Sequence, residues 1–152
     1  MRHHFHTFLA TILTVVALGL ATTACAKKVA VPKMYMFGFA AAFTDSIVHF
    51  TDIQEVDSVW IDSKTTFMLG RESYTFQLRN YLAEKIQMPH RTCVVIYSQK
   101  KKKIEKKFAK MLKLYTAPKK GAQRFDVRRI ERADFNFNTV NMSYLLEEEN
   151  GQ

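Results

Sequence analysis

Apolar positions along the chain fall into blocks of different period. The first, residues 8–20 (FLATILTVVALGL), has nothing more polar than Thr and no polar face. Residues 34–43 (MYMFGFAAAF) are apolar throughout, which predicts a strand buried on both faces. Thr44-Asp45-Ser46 is a turn signal, and residues 47–51 (IVHFT) are β-branched and aromatic, the pattern of a returning hairpin strand. Alternation then fails. Between residues 52 and 69 only Val59-Trp60-Ile61 reads as strand, and the rest is expected to be irregular.

Further on the periods sharpen. Tyr74, Leu78, Tyr81, Leu82 and Ile86 recur at helical spacing, with Ser73 as the expected N-cap and Pro89 closing the run. Residues 92–98 (TCVVIYS) predict a short buried strand. A second helix follows over residues 100–115, its apolar stripe made by Ile104, Phe108, Met111, Leu112 and Tyr115. After Pro118-Lys119-Lys120-Gly121, residues 125–130 alternate as a last strand. From Asn138 to the terminal Glu147-Glu148-Glu149 run the chain is expected to fray.

The predicted order is β-β-α-β-α-β: an α/β (α+β) domain with a small mixed sheet of four or five strands and two helices. Its expected limits are residues 34–137, preceded by a signal at 1–25 and a tether at 26–33, and followed by a tail at 138–152. Twelve Phe and six Tyr supply an aromatic core, so a domain of this size needs neither disulfide nor metal to fold.

The first apolar block has the length of a signal-peptide core, too short for a helix crossing about 30 Å of hydrocarbon. Arg2 precedes it, and the small residues Ala21-Thr22-Thr23-Ala24-Cys25-Ala26 follow it, before Lys27-Lys28. Two processing sites fit. Thr22-Thr23-Ala24-Cys25 resembles the lipobox of bacterial lipoproteins, whose cysteine sulfur receives a diacylglyceryl group and then becomes the first residue. Thr22 stands there in place of the usual Leu. Ala24-Cys25-Ala26 is an A-x-A site for ordinary cleavage after Ala26. The lipobox reading makes Cys25 a lipidation site and a membrane anchor; the other releases a soluble periplasmic domain. In either case Cys93 is left without an intramolecular partner, and its apolar neighbours mark it as a packing residue.

The net charge of +9 is concentrated in one region. Residues 99–132 hold fourteen Lys or Arg against three acids. On the second helix Lys100, Lys101, Lys102, Lys103, Lys106, Lys107, Lys110 and Lys113 occupy the positions that the apolar stripe leaves free. Such a face keeps a domain soluble. It also suits docking onto anionic lipid headgroups, lipopolysaccharide phosphates or an acidic envelope protein. Nucleic acid fits the charge but not an exported chain, and no base-reading motif accompanies it.

Other chemistry-bearing residues are scattered. Asp52, Asp57 and Asp62 recur every five residues, but a calcium loop needs a glycine bend among its ligands and none lies there. His90 and Cys93 make half a zinc site, with no second pair downstream. Neither the lone Gly70 nor Gly121 belongs to a phosphate-binding loop, and Trp60 between Val59 and Ile61 reads as half-buried core. No cofactor is expected. Asp45, His49 and Asp52 remain the most reasonable trio for an enzyme site assembled across the fold.

Met36-Phe37-Gly38-Phe39, Phe43-Thr44-Asp45-Ser46 and Phe50-Thr51-Asp52-Ile53-Gln54 together resemble a group of small exported proteins of Bacteroidota. The resemblance implies an envelope location over the whole mature domain and carries no functional residue with it. By the same analogy, Lys27 and Lys28 after Cys25, where surface-displayed members tend to have acids, imply an anchor facing the periplasm. The expected function is therefore a membrane-tethered, non-enzymatic adaptor or structural domain. A periplasmic small-ligand module, or an enzyme, is the alternative.

Overall fold

The computed structural model describes residues 27–117 and 124–144. The expected signal, Cys25, residues 118–121 and the terminal acidic run lie outside them. Five strands and two helices follow one another as β1 (Lys28–Ala41), β2 (Ile47–Thr51), β3 (Gln54–Asp62), α1 (Arg71–Glu84), β4 (Thr92–Ser98), α2 (Lys101–Thr116) and β5 (Asp126–Ile130). The expected mixed α+β class holds: a five-stranded sheet carries two helices.

The sheet is built around β1. On one side β1 pairs antiparallel with β3 through its first half and with β2 near its end. On the other side it pairs antiparallel with β4, from Tyr35↔Ser98 to Ala41↔Thr92. β5 adds in parallel to β2. Side chains of β1 alternate between two cores. Met34, Met36 and Ala40 pack with Tyr74, Leu78 and Leu82 of α1. Phe37 and Phe39 pack with Val48, Phe50, Ile104 and Phe108, so α2 lies on the opposite face. Phe37 and Phe50 each meet the Phe108 ring edge-on.

Four expectations about the elements change. The segment expected as a tether enters the sheet at Lys28, because residues 28–36 pair with β3. β3 contains the expected strand at residues 59–61 but begins at Gln54, in residues expected to be irregular. Its alternation breaks where Ser58 (φ 54°) stands opposite Pro32, between the pairs Val31↔Val59 and Lys33↔Asp57. Val56 and Val59 consequently both reach the α1 core, and so do Val31 and Met34. A second irregularity lies between Met36↔Gln54 and Phe39↔Phe50, where one extra residue bulges. There the Gly38 amide donates to the Thr51 hydroxyl at 2.8 Å. A Cβ on Gly38 would sit 2.5 Å from Leu78 Cδ2, so this close approach requires glycine.

The third change is at the start of α1. Its N-cap is Gly70, left-handed at φ 64°, and Ser73 lies inside the first turn. The fourth is the end of the chain, whose described part is docked. The Gln54 side chain donates to Phe135 O and accepts from Phe137 N, both at 2.8 Å. Gln77 clamps Asn138 in the same two-sided way, and Tyr74 OH accepts from Val140 N. Phe135 and Phe137 are buried in the α1 core, their rings 4.9 Å apart.

Candidate functional site

Asp45, His49 and Asp52, the trio on which the enzyme alternative would draw, are divided between two structures. Asp45 sits in the β1–β2 turn and receives both terminal nitrogens of Arg91, at 2.9 and 2.6 Å. Arg91 also donates to Ile47 O at 2.7 Å, and its side chain is almost wholly buried. The guanidinium thus bolts the hairpin turn to the loop that enters β4. First the Arg91 hydrogen bonds, then the Ile47 amide, hold the Asp45 carboxyl below its ordinary range.

His49 is 3% exposed, opposite Ala40 on β1 and Arg128 on β5. Its Nδ1 has no hydrogen-bond partner among the described residues. Burial foremost, then the Arg91 and Arg128 charges, push its pKa down, so the ring is neutral at pH 7. Asp52 faces elsewhere, accepting from Arg129 and from the Arg132 amide. An acid–base pair acting on a substrate does not emerge from this arrangement.

The remaining acids and thiol have structural partners. Asp62 accepts from the Lys64 and Thr65 amides and the Thr65 hydroxyl, closing the turn after β3. Cys93 is buried, and burial pushes its thiol up to about 11. His90 is exposed, so the H-x-x-C pair is not gathered at one site. Among the described residues no three His, Cys, Asp or Glu side chains converge to hold a metal ion.

The lysines are organised by α2. All eight are exposed, while Ile104 is fully buried and Phe108, Met111, Leu112 and Tyr115 pack inward. Lys102, Lys106, Lys110 and Lys113 share the helix face directed away from the sheet. Lys100, Lys103 and Lys107 turn toward β4. They line a groove of about 670 Å³ running along residues 94–98. Lys107 Nζ reaches Tyr97 O at 3.4 Å.

The groove is what sequence reasoning missed. Its floor is β4, expected to be buried, yet Thr92 and Val94 are exposed and β1 is its strand neighbour. Arg71 closes the groove and stacks its guanidinium 5.2 Å from the Phe67 ring centre. A second hollow, of about 820 Å³, continues along the other face of β4 between Phe76, Arg79 and Cys93. One signal was available: Phe76 falls off the apolar stripe of its helix. For Arg91 and Gln54 there was none, because an isolated polar residue is buried only by partners distant in sequence.

No protein-family profile, curated protein or solved structure matches the chain. Among the described residues no helix is long and apolar enough to cross a membrane.

Proposed function

We propose that the chain is an exported binding module of the cell envelope, an adaptor held to a membrane through Cys25 and engaging an anionic surface with α2. The observation that carries this reading is the cationic outer face of α2, whose lysines are all exposed. A Lys near an anionic bilayer contributes about 1 kcal/mol, so four on one helix face give a reversible, salt-sensitive contact. Engagement of Asp45 and Asp52 in ion pairs with Arg91 and Arg129, with His49 buried, favours an adaptor over an enzyme.

The surface contact is tested with a Cys25→Ala chain, so that acylation does not dominate, by co-sedimentation with phosphatidylglycerol-containing and pure phosphatidylcholine vesicles. Preferential binding to the anionic vesicles is expected at low salt. High salt, or Lys→Gln at positions 102, 106, 110 and 113, should remove it. Equal binding to both vesicles would overturn the surface reading. The anchor is tested separately by metabolic labelling with an alkyne fatty acid. No label on the natural chain, or a label that survives Cys25→Ala, rejects lipidation at Cys25.

A further inference from the structure

We infer that the outer edge of β4 is a docking site for an extended acidic segment of a partner protein, which adds to the sheet as a further strand. This goes beyond surface docking by α2 and stands on different observations.

The first is topological. β4 borders the sheet, with β1 on one side and, among the described residues, no strand on the other. Backbone amides and carbonyls along a sheet border are ready to pair with an incoming strand, and proteins that do not use such an edge cover it. Here it is flanked by hollows on both faces of β4.

The second observation is the company the edge keeps. Among the described residues six large apolar side chains stand exposed, and three of them, Phe67, Phe76 and Val94, line these two hollows. They offer apolar contact to alternate side chains of an added strand. Exposed apolar groups gathered beside an unpaired edge mark an interaction surface.

The third observation selects the occupant. Among the described residues that line the two hollows, the cations are Arg71, Arg79, Lys100, Lys103 and Lys107, against Glu72 as the one acid. An incoming strand with acids on the α2 face meets the three lysines, while its alternate side chains meet Phe76 and Val95 on the α1 face. A second copy of the chain is disfavoured by the same charges. Symmetric pairing of two β4 edges would bring two basic rims together, and like charges facing each other across an interface cost several kcal/mol.

The experiment uses the processed chain and a peptide alternating Glu and Val, as long as β4. Binding is followed by fluorescence anisotropy and amide chemical shifts. The Glu-Val peptide should bind and shift the amides of residues 92–98. A Lys-Val peptide should not bind. N-methylation of alternate peptide nitrogens, which removes strand hydrogen bonds but keeps the charge, should weaken binding about tenfold or more. Charge reversal by Lys103→Glu with Lys107→Glu, both exposed and safe for folding, should cost at least about tenfold.

Several results overturn the inference. One is no binding by the Glu-Val peptide; another is equal binding by its N-methylated form, which leaves charge attraction without strand addition. Self-association that buries β4 would make a second copy the occupant. A tenfold gain in peptide affinity on deleting residues 145–152 would make the chain's own acidic end the occupant. Vesicle binding is indifferent to each of these outcomes, so the two readings fail separately.

Discussion

The two flanks of β1 have opposite fates. On the β3 side the chain returns on itself: residues 131–144 run against α1 and β3, Phe135 and Phe137 are buried, and two glutamines satisfy the incoming backbone. On the β4 side nothing described returns, and Phe76 and Val94 stand 55% and 45% exposed between hollows rimmed by cations. Both flanks began with the same physical problem, a strand border with polar backbone and apolar neighbours. One is solved within the chain. The other is left to solvent, or to a partner, and that difference is why the β4 side is where binding is sought.

The sharpest test of the contrast is a pair of matched truncations. Phe137→Ala should destabilise the domain by about 3–5 kcal/mol, the usual cost of emptying a buried aromatic site. Phe76→Ala on the open flank should change stability by no more than about 0.5 kcal/mol. Urea unfolding followed by circular dichroism reads both. Similar costs at the two positions would erase the distinction between a closed flank and an open one.

Gln54→Leu comes next. It leaves the Phe135 carbonyl and the Phe137 amide without partners, at about 1–3 kcal/mol for each buried group. Hydrogen exchange should accelerate at residues 135–140 before it does in β4 if the clamp holds that segment locally. Gly38→Ala should cost about 1–3 kcal/mol, because the new methyl must displace Leu78 where the α1 face and the bulge meet. Thermal denaturation compares it with Gly70→Ala, where a positive φ adds backbone strain.

The smallest effect concerns the Arg91 bolt. Asp45 has its carboxyl pKa lowered in the folded state, so the pair's stabilisation is present above the ordinary value of 3.8. It fades as pH falls through the lower, folded value. Asp45→Asn should therefore be less stable than the natural chain at neutral pH, with the gap narrowing only below that ordinary value. A pH series of melting temperatures checks the sign. A gap independent of pH down to strongly acid solution would remove the ion pair from the account.

Much of the fold was legible because its elements have strong local patterns. The stripe of Tyr74, Leu78 and Leu82 and the run at residues 92–98 were read at nearly their true limits. β3 was not, since the left-handed Ser58 shifts its alternation midway and a strand recognised by period two vanishes when the period slips. The burial of residues 135–140 was equally hidden. Its evidence lies in hydrogen bonds to residues about eighty positions earlier, and nothing local to Gln54 announces them. The expected lysines stand exposed on their helix as its period required, whereas Asp45, His49 and Asp52, the residues of the enzyme alternative, do not form one site.

The sequence by itself determined the mixed α+β class, the two helices with their apolar stripes, and the concentration of positive charge on the second of them. These depend on the order of apolar and charged residues within a few turns, which local geometry converts directly into a face. Only the tertiary structure decided which strand would lie at the border, which polar side chains would be buried with partners, and where Arg71, Arg79 and the lysines would meet around β4. Those outcomes depend on pairing between distant segments. Hydrogen bonds and charges act through space, and the chain's order does not record which groups folding will bring within reach.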